Sequence, residues 1–354
     1  MIFLLDFYKG KRVFVTGHTG FKGTWLCKML IDAGAQVTGY ALEPETSLFA
    51  MSNIEKDMNS VIGDVRDSDC LRRIFDSCQP EIAIHLAAQP LVRYSYNDPS
   101  YTYQTNVIGT VNFLECIRAS SSARSVLNVT TDKVYQNNEW EWGYREDDRL
   151  DGYDPYSNSK SCSELITFCY KRAFFNNKKI AVSTARAGNV IGGGDFSKDR
   201  IIPDCVRAVE QSQDIVVRNP NSVRPYQHVL EPLNAYLLIA ERQFHSVEYS
   251  GHYNVGPRDS DCVTTGDLVE LFCKKWRGDV RWSIVSNSGP HESSFLRLDC
   301  SRIRRTFGWK PRWNIEKAIE KTVEWTRAYI NGESIQTLME AQIKEFFETP
   351  TITD

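Results

Sequence analysis

The 354-residue chain predicts an α/β fold in which a doubly wound parallel sheet is covered by helices on both faces, with a smaller α/β region for substrate behind it. Three observations carry that reading. Short apolar runs without two-residue alternation recur between helical stretches, as strands buried on both faces do. The first of these runs leads directly into a glycine-rich turn and a helix. Hydrophobic residues make up 42% of the chain and charged residues 25%, a balance that builds a large core and excludes a disordered or collagen-like chain. The formal net charge of -3 offers no electrostatic handle for nucleic acid.

Lys11 to Thr16 is the first strand, followed at once by Gly17-His18-Thr19-Gly20-Phe21-Lys22-Gly23 and a helix from Thr24 to Ala33 that stops at Gly34. Glycines there let the backbone approach a pyrophosphate, which the free N–H groups of the helix start then bind. Strand, turn and helix together predict a Rossmann-type dinucleotide site with Gly17, Thr19, Gly20, Phe21 and Gly23 against the cofactor. Gln36 to Ala41 is the second strand. An acid that grips the ribose is expected about 20 residues beyond the glycines, but Tyr40 and Ala41 stand there, and Glu43 is equally well read as solvated. NAD and NADP both stay open.

Ser60 to Gly63 is a third strand ending in Asp64-Val65, where the acid either reaches adenine or caps the helix after Ser68. Glu81 to Ala88 is the fourth, and its end at Leu86, Ala87 and Ala88 is small enough for a cofactor to lie close. His85, inside that run, reads as a satisfied core residue. Tyr101 to Ala119 is helical, and Asn106 within it either bonds buried backbone or helps hold an active-site lysine.

Ser125 to Thr130 is the fifth strand, ending in Thr130-Thr131-Asp132-Lys133, and a helix from Asp154 to Phe174 places Tyr156 and Lys160 one turn apart on a shared face. A cation beside a phenol lowers its pKa, so Tyr156 becomes a candidate general base. Ile180 to Val190 is the sixth strand. Beyond it the chain turns loop-rich. Arg200, Arg218, Arg224, Arg258 and Arg297 lie in these loops, and guanidinium groups pair well with diphosphate oxygens. Residues 1–187 with about 217–247 are expected to form the dinucleotide domain, and about 188–216 with 248–354 the substrate domain. Helices from Ile315 to Ile330 and Ile335 to Phe347 read as packing.

Ten scattered cysteines show no C-x-x-C pair and no metal-ligand spacing, so reduced thiols, no metal and a cytoplasmic location are expected. The apolar opening Ile2-Phe3-Leu4-Leu5 is interrupted by Asp6 and is too short for a signal peptide or membrane span. Asn128-Val129-Thr130 matches a glycosylation sequon but falls inside a buried strand, and is discounted.

Gly-x-x-Gly-x-x-Gly at 17–23, Thr-Thr-Asp-Lys at 130–133 and Tyr-x-x-x-Lys at 156–160 together resemble the extended short-chain dehydrogenase/reductase family over nearly the whole chain. Longer strings, Ala87-Ala88-Gln89-Pro90-Leu91-Val92-Arg93, Gly188-Asn189-Val190-Ile191-Gly192-Gly193-Gly194-Asp195 and Arg224-Pro225-Tyr226-Gln227-His228-Val229, are similar to the branch of that family that dehydrates CDP-glucose. The resemblance implies a bound NAD that is regenerated each turn. It also implies Tyr156 as base on the C4 hydroxyl, Thr131 on the same hydroxyl, and Lys160 on ribose. Asp132 is the implied acid for the C6 hydroxyl. Lys133 stands where dTDP-glucose members carry a Glu, so it is either the C5 base, which requires a neutral amine, or an electrostatic partner of the enolate. Cofactor contacts are implied at Thr130 and Asn106. Substrate contacts are implied at Gln89, Arg93, Asn189, Arg200, Arg218, Arg224, Tyr226, His228 and His291. Assembly as a homodimer through helices of the dinucleotide domain, or as a tetramer, is implied too. The competing readings are a sugar epimerase, a dehydratase for another nucleotide sugar, a reductase that consumes free cofactor, and a non-catalytic dinucleotide sensor.

Overall fold

The computed structural model describes residues 3–44, 48–278, 280–285 and 293–352. Its main sheet holds β1 (Arg12–Thr16), β2 (Gln36–Ala41), β3 (Asn59–Ile62), β4 (Ile82–His85), β5 (Ser125–Thr131), β6 (Ala181–Ala187) and β7 (His252–Val255). They lie in the order β7-β6-β5-β4-β1-β2-β3, and every neighbouring pair is parallel. The chain winds outward from β1 to β3, then returns to β4 and winds the other way. The crevice between the ends of β1 and β4 is therefore the switch point at which such sheets bind ligands.

β5 and β6 are buried along their whole length and pair from Ser125↔Ala181 to Thr131↔Ala187. This is why both read as apolar runs without alternation. β7 was not expected, because His252-Tyr253-Asn254-Val255 lacks an apolar run. Tertiary partners compensate: the Asn254 N–H donates to Glu146 Oε1 at 3.0 Å, Nδ2 donates to the Tyr144 carbonyl at 2.7 Å, and Oδ1 accepts from Tyr135 at 2.6 Å. The main sheet thus takes a strand from the stretch assigned above to the substrate domain.

β4, expected to reach Ala88, ends at His85, and further boundaries differ from the expected ones, two of them for evident local reasons. The strand expected to run to Val190 stops at Ala187, since the chain turns away at Gly188, where a Cβ would meet Pro225 Cγ at 2.6 Å. Val190–Ile191 then pairs with Gln227–His228 in a separate small sheet. The helix expected from Tyr101 is divided into Pro99–Tyr103, a π-helical turn at Gln104–Ile108, and Gly109–Ala119. That wider turn carries Asn106.

The helix Pro155–Tyr170 starts on Asp154, whose side chain accepts from the Ser157 N–H, with Pro155 at its first position. Its inner face is fixed by Glu164, a fully buried carboxylate that meets Arg186 Nη2 of β6 at 2.9 Å, with both side chains 0% exposed. Thr130 and Thr184 also donate to Glu164, at 2.5 and 2.8 Å, and Arg186 Nη1 donates to Tyr135 and to the Glu146 carbonyl. No helix of the described residues is long and apolar enough to cross a membrane.

Burial alone would raise the Glu164 pKa, but Arg186 and the two threonines outweigh it and hold the carboxyl below the usual range. A folded pKa below the unfolded value contributes stability above the unfolded pKa, and that stability is lost as pH falls through the folded one. Stability should therefore decline below about pH 4. Glu164→Ala, which strands a buried guanidinium, should cost about 3–5 kcal/mol in calorimetric or denaturant unfolding. A loss under about 1 kcal/mol would show that the pair does not hold the helix to the sheet.

Candidate active site

The carboxyl edge of the sheet opens into a cleft of about 500 Å³, lined by Lys22, Arg93, Thr130, Thr131, Lys133, Tyr156, Asn189, Arg200, Arg218, Arg224 and Tyr226 among others. β1 delivers the glycine turn to it. Gly17 adopts φ +77, and a Cβ there would come within 2.8 Å of the Ala87 nitrogen. A Cβ on Gly23 would reach 2.0 Å from the Gly17 carbonyl oxygen, whereas at Gly20 the nearest atom is that oxygen at 3.4 Å. The turn is closed inward and open outward. Gly20 caps a helix that begins at Phe21 rather than at Thr24, so the N–H groups of its first turn lack intrahelical partners. A helix start of this kind fits a dinucleotide pyrophosphate. Thr19 donates to the Leu42 carbonyl at 2.9 Å, which ties the turn to the end of β2.

At the end of β5, Thr131 Oγ1 donates to Asp132 Oδ1 at 2.9 Å, and Lys133 Nζ donates to the same oxygen at 2.9 Å. Asp132 is fully buried, and its second oxygen, Oδ2, has no hydrogen-bond partner. Asp132 is not among the residues that line the cleft, and Oδ2 lies against Gly188, where an added Cβ would stand 3.3 Å from it. Lys133 Nζ also donates to Asn189 Oδ1 at 2.9 Å. Thr131 also acts on the Tyr156 phenol, so the phenol stands beside a connected hydroxyl, carboxyl and amine.

Burial pushes the Tyr156 phenol up to about 12, against the pull of the Thr131 hydrogen bond and of Arg200. Lys160 lies on the same helical face and donates to the Val129 carbonyl at 3.2 Å. Burial lowers its ammonium to about 8 despite the opposing carboxylate of Glu164. Among the described residues the cation that most lowers the phenol is therefore Arg200, not the expected Lys160.

Several expected contacts fall elsewhere. Gln89 turns inward, donating to Thr102 at 2.9 Å and to the Leu91 carbonyl at 3.2 Å, and braces its own loop instead of facing the cleft. His228 is fully buried between Trp25 and Trp313, 6.2 and 4.8 Å away, with its imidazole lowered to about 3 by burial; it is a core residue. The Val65 side chain packs into the core beneath Gly109. Asp64 pairs with Arg66 at 2.5 Å, and Asp67 is the residue that caps the following helix. Of the two readings of Asn106, the structure shows the backbone one: Oδ1 accepts from the Gln89 N–H at 2.8 Å, while Nδ2 donates to the Gln89 carbonyl and to Ser159. His85 is structural as read, hydrogen-bonded to Thr16 at 2.7 Å and stacked on Phe113. Arg258 and Arg297 do not line the cleft. His291 lies outside the described residues.

The arginines of the cleft are each held by acids or carbonyls. Arg200 meets Asp195 at 3.0 Å, and Arg218 meets Asp199 at 3.1 Å. Arg224 donates to the Val223 carbonyl at 2.9 Å, and Arg93 stands 3.9 Å from Asp199. Lys22 was missed by sequence reasoning, although a lysine inside a glycine turn was a visible signal. Burial and the cations Arg200, Lys160 and Lys133 push its ammonium down to about 7. So much positive charge facing one cleft suits a ligand with several negative oxygens.

Comparison with known proteins agrees with this geometry. A sequence model of the family described as GDP-mannose 4,6 dehydratase matches residues 14–322. The chain is 45% identical to the CDP-glucose 4,6-dehydratase of Salmonella typhimurium, over 98% of this chain and 99% of that protein. The fold is shared with the dTDP-glucose 4,6-dehydratase of Bacillus anthracis in complex with NAD, at a TM-score of 0.76 and 20% identity over 92% of this chain and 99% of that one. It is shared equally with the UDP-glucose 4-epimerase of Thermus thermophilus, at a TM-score of 0.79 and 22% identity over 89% and 99%. On the extent of these matches, the chain belongs to the GDP-mannose 4,6 dehydratase family of nucleotide-sugar enzymes.

Proposed function

We propose that the protein is a 4,6-dehydratase that converts CDP-glucose to CDP-4-dehydro-6-deoxyglucose and water. The observation that carries this reading is the Asp132–Lys133 pair, hydrogen-bonded to Thr131 beside Tyr156 at the carboxyl edge of the sheet. An epimerase needs only the tyrosine end of that chain. The extent of identity to the Salmonella enzyme supports the CDP-glucose assignment over other nucleotide sugars.

Bound NAD supplies a hydride acceptor first and the corresponding donor later, so the cofactor is unchanged over a full turn. Glycines 17, 20 and 23 and the start of the Phe21 helix would hold its pyrophosphate, and Lys160 its ribose. Tyr156 takes the proton of the C4 hydroxyl, with Thr131 orienting that hydroxyl. The C4 ketone acidifies the C5 proton, which Lys133 accepts on Nζ, and Asp132 gives a proton to the departing C6 hydroxyl. Arg224, Arg218 and Arg93 hold the diphosphate after exchanging their internal acceptors for phosphate oxygens.

The ten cysteines are all free thiols, which supports a reducing cytoplasmic location and a biosynthetic role in deoxysugars for surface polysaccharide. Assembly as a homodimer, or a dimer of dimers, draws support from exposed Ile108, Leu165 and Phe174 on the helical layer that holds Tyr156, at 50%, 54% and 41% exposure. Light scattering that returned the 40.5 kDa of one chain would remove that assembly.

Offered CDP-, dTDP-, UDP- and GDP-glucose separately, the protein should act best on the first and release a keto sugar lighter by one water, with solvent deuterium at C5. A product of unchanged mass would instead identify an epimerase. Tyr156→Phe should lower kcat by about 10²–10⁴ without loss of fold. Asp132→Asn should slow elimination more than oxidation at C4, so that reduced cofactor builds up in the near-ultraviolet spectrum. Full turnover by either variant would sink the assigned roles.

A further inference from the structure

Lys133 is held from two directions. Nζ donates to Asp132 Oδ1 and to Asn189 Oδ1, each at 2.9 Å, while the remaining side of the nitrogen faces the cleft. A neutral amine has two hydrogens and one lone pair. With both hydrogens directed at fixed oxygens, the lone pair points the third way. Asn189 is anchored through its backbone, whose carbonyl accepts from the Gln227 N–H at 3.0 Å, and its side chain lies beside the Tyr226 phenol and acts to lower it. Since Oδ1 serves Lys133, the amide NH2 is the end of Asn189 left for the phenol side. Tyr226 is 4% exposed and is hydrogen-bonded to Thr265 at 3.1 Å, and Thr265 Oγ1 donates to the Ser222 carbonyl at 3.2 Å. Gly188 lets this strut approach, because a Cβ there would stand 2.6 Å from Pro225 Cγ and 3.3 Å from Asp132 Oδ2.

We propose that Asn189, anchored by its backbone pairing to Gln227 and backed by Tyr226, is a positioning residue that aims the Lys133 lone pair at the C5 proton of the oxidised sugar. This rests on the dehydratase reading above. In the step it serves, the C5–H bond breaks and its proton goes to the Lys133 nitrogen. The electron pair becomes the C5=C6 double bond, the C6–O bond breaks, and the hydroxyl leaves as water with the proton of Asp132. Lys133 gains one proton and Asp132 gives one up, so the step balances across a pair whose Nζ and Oδ1 lie 2.9 Å apart. Asn189 touches neither transferred proton. It fixes the direction of the amine, as its place on the strut between the catalytic turn and the substrate side requires.

A positioning role separates from substrate binding in the kinetics. Asn189→Ala should lower kcat for dehydration roughly tenfold to a hundredfold, while KM stays within about threefold. Reduced cofactor should accumulate, and the isotope effect from C5-deuterated substrate should grow as C5 proton removal becomes limiting. Tyr226→Phe, which removes only the hydroxyl beside the amide, should show the same signature more weakly. A rise in KM at unchanged kcat, or equal loss of C4 oxidation and elimination, would overturn the proposal in favour of a plain substrate contact. Should Asn189→Ala fail to fold, Tyr226→Phe decides alone, and a wild-type isotope effect with no reduced cofactor would overturn it. Wild-type protein that released no dehydrated sugar would refute the dehydratase reading itself, a separate result.

Discussion

The catalytic end of the molecule depends on one buried ion pair. Glu164 and Arg186 lie at zero exposure between the Pro155–Tyr170 helix and β6, and removing two charges from water is unfavourable unless every remaining hydrogen-bonding position is filled. Here nearly all are. Two threonines reach the carboxylate, and a tyrosine and a carbonyl reach one end of the guanidinium. Tyr156, Lys160 and Glu164 follow one another at one-turn intervals, so anchoring the last sets the depth and rotation of the first two. Arg186 comes just before Ala187, Gly188 and Asn189, so the same anchor sets where β6 leaves the sheet.

A second constraint is the gathering of like charge. Lys133, Lys160 and Arg200 lie closely enough to depress Lys22, against the opposing carboxylate of Asp132. An anion that enters such a cleft meets several cations at once. The internal acceptors held by Arg200 and Arg218, Asp195 and Asp199, keep the guanidinium groups ordered meanwhile. Preorganisation lowers the entropy lost on binding, at the expense of contacts that the ligand must displace.

Much of this was legible in the chain. Parallel strands betray themselves by unbroken apolar runs, and the glycine turn and the Tyr156–Lys160 spacing are local signals with local meaning. What could not be read depends on contacts distant in sequence. β7 carries polar residues that are satisfied only by Tyr135, Tyr144 and Glu146. His228 and Gln89 look like ligands of a substrate because they are polar residues in family-like strings, but His228 is enclosed by two indoles and Gln89 is spent on its own loop. Glu164 could have been found: its place four residues after Lys160 put it on the same helical face. Its partner on β6 could not have been.

Thr131 has a single hydroxyl hydrogen and two neighbours that can claim it, Asp132 Oδ1 at 2.9 Å and the oxygen of Tyr156. That hydrogen is spent on the carboxyl, which leaves Oγ1 as an acceptor toward any other partner. One short side chain thereby links the end of β5 to the helix that carries Tyr156 without any motion of the backbone.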